Sequence, residues 1–158
     1  RRAEQLGLPI LVHAARQFMS GTPMKYANPI LFDEVAQLFP DLRIILAHLG
    51  MPWFGDTAVV LRKHPNVYSD VSGVVKQPWG FYNALVLMSE NGALDKLLFG
   101  SDIPFVSPES TMQALRNVNA VTTGTGLPRI PAEAIEHIIH RDTLGLLGLN
   151  RSLSPGRD

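Results

Sequence analysis

Three short apolar runs in this chain each stop at an ionisable residue. Leu8-Pro9-Ile10-Leu11-Val12 ends at His13, Arg43-Ile44-Ile45-Leu46-Ala47 at His48, and Leu97-Leu98-Phe99-Gly100-Ser101 at Asp102. Runs this short and this apolar lack the period of an amphipathic helix and read as strands covered on both faces, as in a parallel sheet. In parallel α/β enzymes the loops beyond the carboxyl ends of the strands form the active-site face. The pattern therefore restricts the chain to an α/β sheet with two imidazoles and a carboxylate along one rim.

Between these runs the apolar period changes to that of helices. Residues 8–13 form the first expected strand, followed by a long loop over 14–26. Asn28-Pro29 has the form of an N-cap with proline at the first helical position, and Leu31, Val35, Leu38 and Phe39 give one apolar face up to Pro40. Residues 43–48 are the second strand, and roughly 56–63 the next helix, stopped by His64-Pro65. Residues 66–73 alternate β-branched or aromatic with small polar residues, a third strand ending in Asp70 and Ser72. Phe81, Ala84, Leu85 and Met88 mark a helix stopped at Asn91-Gly92, and residues 96–102 are the fourth strand. Ser107-Pro108-Glu109 caps a helix that runs to about Asn119. A Thr- and Gly-rich loop over 122–129 leads to a last helix opened by Pro131, after which Leu144, Leu147 and Leu149 are expected to pack on the body. The order is strand–helix repeated, with units of the usual length for right-handed βα crossovers. Four such units do not close a barrel, which needs eight strands. Arg1 to Gly7 reads as the end of a helix with its glycine stop, so the expectation is a (β/α)8 barrel of which only the last four or so βα units are present. The domain is expected over 1–149, with a polar tail at 150–158.

Composition narrows the function. Fourteen basic and fourteen acidic residues cancel over 158 residues, with no basic stripe, which argues against a nucleic-acid partner and for a small-molecule substrate. No apolar run reaches membrane-spanning length, so no membrane partner is expected. There is no cysteine, which removes thiolate ligands and cysteine nucleophiles and agrees with a reducing cytoplasm.

Side chains alternate along a strand, so His13 is expected to share a face with Leu11, His48 with Leu46, and Asp102 with Gly100. If that face is the barrel interior, the three groups meet at its mouth, where imidazole nitrogen and carboxylate oxygen suit a divalent cation. One strand-end histidine alone is more often a hydrogen-bonded polar group; the coincidence at three equivalent strand ends favours a site. Asp70 and Ser72 read as loop or helix caps, and His64, His137 and His140 as surface or helix-end residues. Trp53, Phe54 and Phe105 fall in rim loops, where they could line a pocket or cover the barrel. Arg16 is the nearest cation for an anionic substrate.

The segments 8–13, Ile45-Leu46-Ala47-His48-Leu49-Gly50-Met51-Pro52-Trp53, 64–73 and 98–105 together resemble the second half of the amidohydrolase-related TIM-barrel family, in the branch of the aminocarboxymuconate-semialdehyde decarboxylase type. Asp142 stands where an asparagine is expected. The resemblance implies that His13 is a metal ligand after the fifth strand. It implies that His48 is an acid/base or polarising group, and that Asp102 both binds metal and handles the proton of bound water. The metal implied is zinc first, with manganese as the other possibility. The family's first-strand His-x-His pair has no counterpart here. The expected function is metal-dependent hydrolysis of a small carbonyl, amide or lactone substrate, with substrate contacts from Arg16, Trp53 and Phe105. The alternatives are a decarboxylase of a small carboxylated substrate and a non-catalytic half-barrel. As half a barrel the chain is expected to be inactive alone, and to need the missing N-terminal half or a second copy of itself.

Overall fold

The computed structural model describes residues 1–149, so the tail expected at 150–158 lies outside the described residues. The elements are α1 (Arg2–Gln5), β1 (Ile10–Val12), α2 (Phe32–Leu38), β2 (Ile44–Leu46), α3 (Phe54–Lys63), β3 (Val67–Asp70), α4 (Pro78–Glu90), β4 (Leu97–Leu98), α5 (Pro108–Arg116), α6 (Ala132–His140) and α7 (Thr143–Leu146). The strands form one parallel sheet in the order β1-β2-β3-β4. Right-handed crossovers place successive strands side by side in this way.

The helices begin where the side chains can satisfy their free N–H groups. Asn28 Oδ1 accepts from Ile30 N at 2.9 Å, ahead of a 3-10 turn that runs into α2, and Ser107 Oγ accepts from Ser110 N at 3.1 Å. Both starts carry the proline just inside. Asp142 Oδ1 accepts from Gly145 N at 2.9 Å and caps α7.

One face of the sheet is the core. Ile44, Leu46, Val67 and Leu97 are fully buried against α3 and α4, whose Leu61, Phe81, Leu85 and Met88 fill the layer. The other face is open. The expectation that residues 8–13 are covered on both sides is therefore wrong: Leu11 is 67% exposed, because β1 is an edge strand and nothing in the described chain packs on that face there. Ile45 and Leu98 on the same face are covered by Leu147. Leu144 and Leu149, expected to pack with Leu147, are exposed; of the three only Leu147, at the C-terminus of α7, is buried. Leu31 and Leu38 likewise point outward, and the buried face of α2 is carried by Ala36 with Phe32, Val35 and Phe39 beside it.

His64 takes the helix-end placement, at the C-terminus of α3. It is buried, not on the surface, and its Nε2 lies 2.6 Å from Asp33 Oδ1, which also meets Lys63 Nζ at 2.6 Å. This cluster ties α2 to the end of α3. The hydrogen bonds from Lys63 and then His64 hold the Asp33 carboxyl below its ordinary range. Arg116 and Glu136 make a two-pronged pair between α5 and α6, at 2.8 and 2.9 Å, which lowers Glu136 in the same way. His137 and His140 are exposed on α6, as expected. No helix among the described residues is long and apolar enough to cross a membrane.

Candidate active site

His13 follows β1 directly and shares the open face with Leu11, as alternation requires; both line a cavity of about 570 Å³ at the carboxyl ends of the strands. Its Nε2 is 3.4 Å from Arg16 O, long for a hydrogen bond.

His48 reaches the same cavity by a different route from the one expected. Leu46 faces the helix-side core, so alternation alone would send His48 there too. Instead the chain enters a 3-10 turn over Ala47–Gly50 in which His48 (φ 62°) and Leu49 (φ 53°) are left-handed, and this turns the imidazole over to the rim. Left-handed backbone costs an L-residue about 1–2 kcal/mol. Asp70 offsets it: its Oδ1 accepts from the backbone N of His48 at 3.2 Å, an interaction with a charged acceptor worth about 1.5–3 kcal/mol.

Asp102 also has positive φ, at 73°. Its carbonyl accepts from Phe105 N at 2.9 Å and Val106 N at 3.3 Å, which fixes the turn that presents the carboxylate to the cavity. Among the described residues, the non-glycine positions with positive φ are His48, Leu49 and Asp102. Such strain persists where surrounding structure imposes it and clusters at functional sites.

The groups converge. The His13 and His48 rings lie edge to face with centroids 5.0 Å apart. Asp102 Oδ2 and His48 Nδ1 are each 3.1 Å from the position a Cβ would occupy on Gly73, itself at φ 70°. The space that binds these groups together thus exists because residue 73 lacks a side chain.

Asp70 and Ser72 are more than the caps the sequence suggests. Asp70 Oδ1 accepts from Ser72 N at 3.0 Å and from Ser72 Oγ in a very short contact, while His48 Nδ1 sits 2.8 Å from Ser72 Oγ and 3.1 Å from Ser72 O. The signal was present as Asp-x-Ser on one face at the end of β3, but its partner His48 is far away in sequence. Arg16 and Phe105 line an adjoining cavity of about 420 Å³ that shares His13, His48 and Asp102. Lys76 lines it too, and no sequence pattern marks it. Trp53 is in the wall of neither cavity; it opens α3, where its carbonyl accepts from Thr57 N at 3.0 Å and Thr57 Oγ1 at 2.9 Å.

The donor types suit zinc or manganese, but the count does not. A catalytic zinc needs three protein ligands. Among the described residues no group of three or more His, Cys, Asp or Glu side chains is placed to hold an ion. The described residues alone do not make a metal site, and His13 and Asp102 would be part of one only with further donors.

A family model for amidohydrolases matches residues 1–142. The chain belongs to the amidohydrolase family. No curated protein matches the sequence. Solved structures show the fold of this amidohydrolase chain. A TIM-barrel protein of uncharacterised function from Bordetella bronchiseptica superposes with a TM-score of 0.66 at 24% identity, over 94% of this chain and 48% of its own. A dihydroxybenzoic acid decarboxylase from Polaromonas, solved with manganese and an inhibitor, gives 0.60 at 15% identity, over 95% and 52%. An amidohydrolase from Burkholderia multivorans with bound zinc gives 0.64 at 13%, over 94% and 55%. The chain therefore spans about half the length of these barrels, and its parallel sheet and helices are part of a TIM barrel.

Proposed function

We propose that this chain carries half of the active site of a metal-dependent hydrolase acting on a small carbonyl, amide or lactone substrate. The observation that supports it most is the meeting of His13, His48 and Asp102 in one cavity at the carboxyl rim of the sheet. Catalytic groups in barrels come from the ends of several strands in this way. In the whole barrel His13 and Asp102 would hold a divalent cation, zinc or manganese as in the relatives named above, together with further donors beyond the described residues, and the ion would supply an activated water. Asp102 takes the proton of the attacking water, and His48 faces the reacting carbonyl as the acid/base group. The adjoining cavity holds the rest of the substrate between Arg16 and Phe105.

A decarboxylase is the second reading, and Arg16 favours it. Its Nε is buried with no hydrogen-bond partner among the described residues, and the residue lines the cavity shared with the three rim groups. A guanidinium with a spare donor suits a substrate carboxylate.

The test is an assay of the full-length gene product for carbon dioxide release and for hydrolytic products, with metal analysis. Stoichiometric zinc or manganese lost on His13→Ala and Asp102→Ala, and a rate lowered about 100- to 10,000-fold by His48→Ala, support the reading. A metal-free protein, or activity untouched by His48→Ala, would sink it.

A further inference from the structure

We infer that Asp70, acting through the hydroxyl of Ser72, holds the neutral His48 ring with its proton on Nδ1, leaving Nε2 as a bare acceptor at the rim. The assignment follows from which groups can donate. Ser72 O lies 3.1 Å from His48 Nδ1 and, being a carbonyl, can only accept, so Nδ1 must carry the hydrogen. The ionised Asp70 carboxylate can also only accept, so the short contact with Ser72 Oγ uses the serine's one hydrogen. That leaves a serine lone pair for His48 Nδ1 at 2.8 Å. Reversing either end would leave two acceptors facing each other in a largely buried position, with Asp70 and Ser72 both under one-tenth exposed. Asp70 also accepts from the backbone N of His48, so one carboxylate oxygen fixes both the backbone and, through Ser72, the ring. Among the described residues Nε2 has no hydrogen-bond partner.

Ser72 and Asp70 are positioning residues on this account. The consequence, which rests on the hydrolase reading, is the order of the proton steps. A neutral His48 with a bare Nε2 cannot donate to a carbonyl oxygen. It first takes one proton at Nε2, the one that Asp102 has accepted from the attacking water, and becomes an imidazolium whose Nδ1–H keeps its serine and carbonyl acceptors. The same proton then leaves from Nε2 to the departing group, and the ring returns to its starting form.

The tautomer is read without substrate or metal. The full-length gene product is labelled with nitrogen-15 at histidine, and ring nitrogen shifts are followed toward alkaline pH until they stop moving. Loss of one ring's signals in His48→Gln assigns them. Expected is a protonated-type shift at Nδ1 and an unprotonated-type shift at Nε2. Ser72→Ala should move the tautomer ratio about tenfold toward Nε2–H, the effect of one hydrogen bond, and Ser72→Thr should restore it. A wild-type ring protonated on Nε2 overturns the inference, as does a ratio unmoved by Ser72→Ala. The wild-type result stands even if a variant fails to fold. An inactive gene product with Nδ1–H at His48 would defeat the hydrolase reading and leave this one intact; an active one with Nε2–H would do the reverse.

Discussion

Replacing Gly73 by alanine isolates the space around the rim groups. The new methyl would sit 3.1 Å from both Asp102 Oδ2 and His48 Nδ1, against about 3.5–4.0 Å for unstrained contact, so each group must retreat by about half an ångström. Two costs combine. The left-handed φ of 70° costs alanine about 1–2 kcal/mol, and crowding in a packed site adds about 1–3 kcal/mol. Gly92 separates them, because it has φ 63° and nothing within 4 Å of its would-be Cβ. Gly92→Ala should therefore show the backbone cost alone. For a chain of this length about 1 kcal/mol corresponds to about 2–4 °C in melting temperature, so Gly73→Ala should melt about 2–12 °C below Gly92→Ala. Thermal melts of both variants, with His48 and Asp102 resonances followed alongside, make the measurement. Equal melting temperatures and unmoved His48 signals would show that residue 73 does not define the site.

Two further expectations concern the scaffold. Hydrogen bonds from Lys63 and His64 hold Asp33 low, and Arg116 holds Glu136 low, so both carboxylates favour the folded state above their unfolded values near about pH 4 and lose that contribution as pH falls through their folded values. Melting temperature should drop on acidification below about pH 4, with a shallower drop in Asp33→Asn; an identical profile in that variant would remove Asp33 as a cause. Tyr82 is 1% exposed and its Oη donates to Pro128 O at 2.6 Å, anchoring the loop before α6 to α4. Tyr82→Phe should cost about 1–2 kcal/mol in urea unfolding, and no loss would mean that water replaces the phenol.

The strand–helix order could be read from the sequence because period and stop signals are local: Asn28-Pro29, Ser107-Pro108 and Asn91-Gly92 mark helix ends where they stand. The rim position of His13 followed from alternation with Leu11. That of His48 did not, since Leu46 faces the core and the imidazole arrives through two left-handed residues that no period encodes. The same locality explains His64, whose burial depends on Asp33 in a separate helix, and the Asp70–Ser72–His48 contacts, which join residues of different strands. Leu11 shows the opposite limit, because an apolar run identifies a strand meant for burial without saying that its partner lies within the same chain.

The strain at the rim can itself be tested at Asp102. At φ 73° an aspartate stores about 1–2 kcal/mol that glycine does not, and no hydrogen bond among the described residues reaches its carboxylate to offset this. Glycine loses about 0.4–1 kcal/mol of this advantage through the greater freedom of its unfolded chain. Asp102→Gly should therefore stabilise the chain by up to about 1.5 kcal/mol, whereas Asp102→Ala keeps the strained backbone and should gain nothing. A structural turn would carry the residue its backbone prefers, so a gain in stability on Asp102→Gly is what the site proposed above expects of its carboxylate. If urea unfolding finds Asp102→Gly less stable than the native chain, Asp102 contributes to the fold through interactions of its own. The positive φ would then be no argument for a site.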